Sequence, residues 1–277
     1  MSEVRIVTDS TAFLPREKLE KYRIEVVPLS VNFPDEIIID GNIKNKDFFE
    51  KMKRAAKLPF TSQPSPGDFF QVYEKIINKG DEIVSIHISS GISGTVGSAE
   101  TAAKMLDVSR ISVVDSLITS GGLAMLTLLA ARAAMEGKTK DEITAMLETL
   151  KMKVKTLFVP ATLEYLKKGG RIGGAQALIG TILQIKPILT FREGKIEVFE
   201  KVRTMRKALE RTISELPERP DNVQVAILQA EAEETAALLR GLIEERLPGV
   251  MPVTYELSPV IGTHVGPGTV GLVSLQL

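Results

Sequence analysis

Apolar positions along this chain fall into short runs separated by polar turns, and between the runs lie stretches with the spacing of an amphipathic helix. Ile83, Val84, Ile86 and Ile88 form the near-continuous run of a strand buried on both faces, as parallel sheets require. Similar runs predict strands over 4–7, 24–31, 37–40, 111–115, 154–159, 223–229, 253–257 and 269–275. Residues 187–191 and 195–202 pair as a hairpin across Arg192-Glu193-Gly194. Helical spacing is expected over 15–22, 46–57, 66–78, 121–135, 162–168, 175–184, 205–216 and 231–247, and from Thr139 to about Lys151. Ser65 before Pro66, and the run Thr139-Lys140-Asp141-Glu142, carry N-terminal capping chemistry.

The stretch after residue 88 organises the rest. Ser89-Ser90-Gly91 breaks the strand, the glycine permitting φ values that a side chain would forbid, and Ser93 stands as N-cap of a helix opening at Thr95. Such a strand, loop and helix aim backbone N–H groups and a positive dipole end at one point, which suits an anion. Gly91-Ile92-Ser93-Gly94-Thr95 is no nucleophile elbow, because Thr95 replaces the second glycine, and it lacks the lysine of a P-loop. The segment 59–67, with three prolines, presents Thr61, Ser62 and Ser65 on a stiff loop. Residues 169–174 read as a flexible glycine connector, and 262–268 as a tight turn holding His264 between glycines.

Strands and helices alternate up to residue 153, with polar turns after the strands. The expected fold class is therefore α/β, in two domains. Residues 1–153 form a three-layer α/β/α domain on a parallel sheet, and residues 154–277 a second α/β domain on a mixed sheet. The chain has 277 residues and a formal net charge of zero, so no basic field recruits nucleic acid or an anionic membrane. It has no cysteine, which excludes disulfides and thiol chemistry, and only two histidines, which disfavours a histidine-rich metal site. The most apolar run, 121–135, contains Arg132 and is shorter than a membrane span, so it reads as a buried core helix. No apolar leader precedes the first strand, and the expected location is the cytoplasm.

Several stretches together resemble the DegV family of bacterial lipid-binding proteins, which includes the fatty acid-binding subunit of fatty acid kinase. They are 6–11 (IVTDST), 61–67 (TSQPSPG), 89–95 (SSGISGT), 114–116 (VDS), 165–173 (YLKKGGRIG) and 261–268 (IGTHVGPG), in family order over nearly the whole chain. The resemblance implies a two-domain α/β protein that holds one long-chain fatty acid between its domains and has no catalysis or cofactor of its own. It implies a carboxylate site at Thr61, Ser93 and Gly94, with Thr263 and His264 close by. It places Arg171 on the surface shown to a kinase subunit, which phosphorylates the bound acid to an acyl phosphate. The chain departs from the family pattern at Val96, where an aromatic is common, and at Gln229, where a histidine is common; both bear on chain-length preference.

Elementary chemistry is compatible with that expectation. Hydroxyls and loop N–H groups can satisfy a buried carboxylate with neutral donors, leaving one oxygen reactive. About 15 methylenes at roughly 0.8 kcal/mol each supply a gross ~12 kcal/mol of burial. Helices over 121–135 and 175–184 could line a tunnel, although an ordinary core has the same composition. His87, inside a strand, reads first as a hydrogen-bonded core histidine, and Asp9 and Asp115 as residues that tie loops together. Without the resemblance Arg171 reads as a solvated side chain. Two competing functions stay open: a serine hydrolase acting on acyl esters through Ser93, His264 and Asp115, and a nucleotide- or phosphate-binding protein.

Overall fold

The structure is a computed structural model and describes residues 2–178, 185–218 and 221–277. In chain order, β1 (Val4–Asp9) leads through a 3-10 turn to α1 (Arg16–Tyr22), β2 (Glu25–Val27), β3 (Ser30–Asn32), β4 (Ile37–Ile39), α2 (Asn45–Arg54), β5 (Phe60–Ser62) and α3 (Pro66–Ile77). Then follow β6 (Glu82–His87), α4 (Thr95–Lys104), β7 (Ile111–Asp115), α5 (Ser120–Met135) and α6 (Lys140–Lys151). The remainder comprises β8 (Val154–Val159), α7 (Glu164–Lys168), β9 (Lys186–Arg192), β10 (Lys195–Val202), α8 (Met205–Ile213), β11 (Val223–Ala230), α9 (Glu233–Arg246), β12 (Val253–Glu256), α10 (Pro259–Val265) and β13 (Thr269–Gln276).

The fold is α/β, with a parallel sheet in the N-terminal region and a mixed sheet in the C-terminal region. The first sheet has the order β2-β1-β6-β7, every pair parallel. Alternation along β1 and β6 decides which helices cover which face: Val7 and Ile83 pack with Phe69, Tyr73 and Ala99 of α3 and α4, whereas Ile6, Val84 and Ile86 pack toward α5. The second sheet has the order β10-β9-β8-β13-β11-β12, antiparallel except for β11 with β12. Its outer face is covered by α8 and α9, and its inner face meets α5. Helix α5 therefore lies between the two sheets, touching β1 and β6 on one side and β8, β11 and β13 on the other. A helix with partners on both flanks must be apolar nearly all round, as 121–135 is. At its start, a Cβ on Gly121 would come within 2.7 Å of Leu228, so the sheet can approach only because a glycine stands there.

A third sheet, β4-β3-β5, is small and antiparallel and has no counterpart in the sequence expectation. It exists because the strand expected over 24–31 is two strands. Pro28 lacks the N–H that a continuing ladder needs, so β2 ends in the parallel sheet and β3 begins another. Three further expectations are corrected. The turn expected over 262–268 is a helix up to Val265, because Ser258 caps Ile261 N and Pro259 takes the first helical position; only Gly266 and Gly268 have positive φ. The N-cap of α4 is Gly94 rather than Ser93. The helix expected over 175–184 is a 3-10 turn over Gly173–Leu178, and 179–184 lie outside the described residues. The hairpin forms as expected, its two-residue loop of Glu193 (φ 50) and Gly194 (φ 76) having both residues at positive φ, a turn that matches the right-handed twist of the strands.

Candidate functional site

A cavity of about 330 Å³ lies where the loops after β6 and β7 face the inner side of the second sheet. That volume is at the lower end of small-molecule sites. Its walls are mostly apolar: Ile88 and Ile92 from the β6 loop, Phe158, Phe191 and Leu228 from the second sheet, and Val260 and Ile261 from α10. Ligands of open α/β sheets gather beyond the carboxyl ends of the strands, and the cavity sits there.

Polar groups are concentrated where β5, α10 and the β6 loop meet. Thr61 pairs across β5 with Val31, which is fully buried, so register turns Thr61 inward and its neighbour Phe60 outward, 66% exposed. Thr61 Oγ1 lies 2.8 Å from His264 Nε2. Burial and the positive charge of Arg171 push the imidazole down to about 4, so it is neutral near pH 7. Its Nδ1 is buried and has no hydrogen-bond partner. An orphaned lone pair costs less than an orphaned N–H, which puts the proton on Nε2. His264 then donates to Thr61 Oγ1, and the Thr61 hydroxyl hydrogen is free to point into the cavity. Gly169 stands against this ring, where a Cβ would collide with His264 Nδ1, so there is no room for a side chain.

Ser93 also lines the cavity, its hydroxyl 2.9 Å from that of Thr95. Its loop is held from two sides. Ser89 Oγ donates to Gly194 O at 2.7 Å, and Arg171 Nε donates to Ile92 O at 3.1 Å. Gly91 has no positive φ, contrary to the sequence expectation; it is required for space, because a Cβ there would stand 2.5 Å from Gly194 O. Arg171 is half-buried and lines the cavity, with a second bond to Gly169 O at 2.8 Å, so it is not a freely solvated side chain. Two expected site residues stand apart. Gly94 is exposed and its carbonyl accepts from Gln63 Nε2 at 3.1 Å; the buried Thr263 hydroxyl donates to Pro259 O at 2.9 Å within α10. Neither lines the cavity.

The hydrolase constellation is not assembled. Asp115 accepts from the backbone N–H groups of Ser90 at 3.2 Å and Leu117 at 2.9 Å, as the loop-tying reading expects, and has no bond to His264. A different Ser-His-Asp set does occur: Ser85 Oγ is 2.6 Å from His87 Nε2, and His87 Nδ1 is 3.2 Å from Asp9 Oδ2. All three side chains are fully buried, and Tyr73 donates to Ser85 from behind. His87 is the core histidine that the sequence suggested. Among the described residues no cluster of His, Cys, Asp or Glu could hold a metal ion, and no helix is long and apolar enough to cross a membrane.

A family profile described as "Uncharacterised protein, DegV family" matches residues 3–277. The chain belongs to the DegV family. A DegV domain-containing protein of Clostridium acetobutylicum is 40% identical over 276 residues, covering 97% of this chain and 96% of the relative. A fatty acid-binding DegV family protein of Thermus thermophilus superposes with a TM-score of 0.91 at 39% identity, covering 99% of this chain and all of that one. DegV of Bacillus subtilis, described as a fatty acid binding protein, gives 0.89 at 36% identity with full coverage of both chains.

Sequence reasoning missed Gln63, Thr119, Ser120 and Thr156 as lining residues of this DegV fold. A small polar residue in a strand or at a helix start has an ordinary explanation, and only the cavity singles these out.

Proposed function

We propose that this DegV protein binds a long-chain fatty acid, with the tail in the apolar cavity and the carboxylate beside Thr61, Ser93 and His264. The observation that carries this is the Thr61–His264 pair, which turns a hydroxyl donor toward a mostly apolar space in whose wall Arg171 is the one charged side chain among the described residues. Burying a carboxylate requires donors for its lone pairs, and Thr61, Ser93 and nearby N–H groups can provide them. Gly94 and Thr263 act one step removed, Gly94 by leaving room for the Gln63 amide and Thr263 by bonding within the helix that carries His264. The solved relatives described as fatty acid-binding support the ligand class.

A finer reading rests on the family resemblance. The protein is a cytoplasmic, non-catalytic carrier that presents the carboxylate to a fatty acid kinase subunit, with Arg171 near the contact surface. In this reading the chain forms two domains, 1–153 and 154–277, with the ligand between them. Neutral donors hold the acid without quenching its oxygens, so phosphorylation to an acyl phosphate stays possible. No ligand-bearing cofactor is needed for this role.

Organic extraction of the purified chain followed by mass spectrometry tests the reading. One long-chain fatty acid per chain is expected, and Thr61→Ala or Ser93→Ala should retain several-fold less. Extracts free of lipid, with no uptake of added fatty acid, would refute it. Arg171→Ala should keep the lipid and lower kinase-dependent acyl phosphate formation; retention lost together with phosphorylation would instead give Arg171 a role in holding the acid.

A further inference from the structure

Among the described residues, three hydroxyls in the cavity wall have no hydrogen-bond partner. They are Thr119 and Ser120 at the start of α5 and Thr156 on β8, exposed by only 7%, 2% and 4%. The other hydroxyls of the described lining do not share this condition: Thr61, Ser62, Ser93 and Thr269 are all bonded within the protein. Thr119 is the N-cap residue of α5, where a threonine ordinarily accepts from the first helical N–H groups, yet it makes no cap bond. Ser120 has φ +55, a left-handed conformation that is costly for a residue other than glycine. Thr156 belongs to the strand face that also presents Phe158 to the cavity.

An unpaired buried hydroxyl loses its hydration without compensation, and a plain methylene chain lying against these three would leave all of them unpaired. The uncapped start of α5 adds N–H donors, so the missing partner must be able to accept. It is also neutral. Arg171 is the one charged side chain among the described residues that line the cavity, and it stands beside His264, so a second buried anion at α5 would find no counter-charge.

We infer that Thr119, Ser120 and Thr156 form a second polar station for an oxygen carried on the acyl chain itself, so that the preferred ligand is an oxygenated fatty acid with a hydroxyl or keto group along its tail. This rests on the fatty acid reading and narrows it to a substrate class. The carboxylate is held at Thr61 and Ser93, and the chain oxygen accepts from the start of α5 and exchanges hydrogen bonds with Thr156. A site that pairs a ligand oxygen discriminates against the analogue lacking it, because the protein groups are then left without partners.

The test uses the purified, delipidated full chain, offered equimolar octadecanoic acid, cis-octadecenoic acid and a set of hydroxyoctadecanoic acids that differ in hydroxyl position. Bound ligand is extracted and quantified by mass spectrometry. One hydroxylated isomer should be retained about tenfold over octadecanoic acid, the worth of a single net hydrogen bond. Thr156→Val, which keeps the shape of the side chain, and Ser120→Ala should each bring that ratio toward one. Equal retention of hydroxylated and plain acids overturns the inference while leaving fatty acid binding intact; it means ordered water only at these hydroxyls. A preference for the unsaturated acid overturns it too, as does a hydroxyl preference that survives in both variants. If none of the acids is retained, the fatty acid reading falls and this inference with it.

Discussion

His264 and Asp40 sit at opposite ends of α10 and are displaced in opposite directions by the same cause. Burial pushes His264 down to about 4, with Arg171 adding to the shift, and pushes the Asp40 carboxyl up to about 7. Asp40 accepts from Ser10 Oγ at 2.8 Å and from Val260 N at 3.2 Å, so it pins the first turn of α10 to the loop after β1. Between about pH 6.5 and 4 the unfolded chain takes up a proton on His264 that the native chain refuses, so native stability falls as the pH falls, by at most about 3 kcal/mol. Asp40 works in reverse. Between about pH 4 and 7 the native carboxyl keeps a proton that the unfolded one releases, so stability falls as the pH rises. The two slopes oppose each other in the wild-type chain. Urea unfolding at pH 6.5 and pH 5 should therefore show His264→Gln gaining stability on acidification relative to wild type, and Asp40→Asn losing it. Parallel slopes in all three proteins would remove both assignments.

At the scale of elements, the contact between the β6 loop and the β9–β10 hairpin tip is made by two backbones that touch. A methyl at Gly91 would meet a carbonyl oxygen, which cannot swing aside as a flexible side chain can. Gly91→Ala should push the tip away, at a cost on the order of 1–3 kcal/mol, and loosen the loop that carries Ser93. Fatty acid retention should drop more than secondary structure, and circular dichroism alongside lipid extraction would show whether it does. The strand over 83–88 and the hydroxyl loop after it were legible because a parallel strand writes a near-continuous apolar run that little else imitates. The glycine at 91 was legible as necessary and misread in its reason, since crowding from residue 194 is a contact over a hundred positions distant. The helix bearing His264 was hidden for another cause. The three glycines of 262–268 spell a turn locally, while the Ser258–Pro259 start signal and the Asp40 contact that hold the helix lie upstream. Thr119, Ser120 and Thr156 leave no trace in any period, because an unpaired hydroxyl is a property of surroundings and not of sequence.

For the whole molecule, the cavity and α5 lie between the same two sheets, so filling one reinforces the contact that the other makes. A ligand present at about 1,000 times its dissociation constant adds roughly 4 kcal/mol to the native state. Removing lipid should accordingly lower the melting temperature by several degrees, roughly 2–4 °C per kcal/mol for a chain of this order of size, and adding fatty acid should restore it. Calorimetry before and after delipidation makes the comparison, and an unchanged melting temperature would count against an occupied cavity in the native protein. The parallel sheet, its helices and the boundary in character near residue 153 came from local pattern. The third sheet did not, since its strands have three residues each and pair across stretches that carry no period.

That third sheet has a bearing on how the protein can be observed. Strand β5 is one of its two edges, with Thr61 turned inward and Phe60 standing in water; Ile37 and Ile39 on the opposite edge strand, β4, are likewise exposed. Beside Thr61 the cavity is thus closed by an edge strand whose neighbouring side chain, Phe60, stands in water. Amide protons there report directly on what lies on the far side, so loading and unloading would register as protection gained or lost along one short ribbon, without the rest of the molecule having to open.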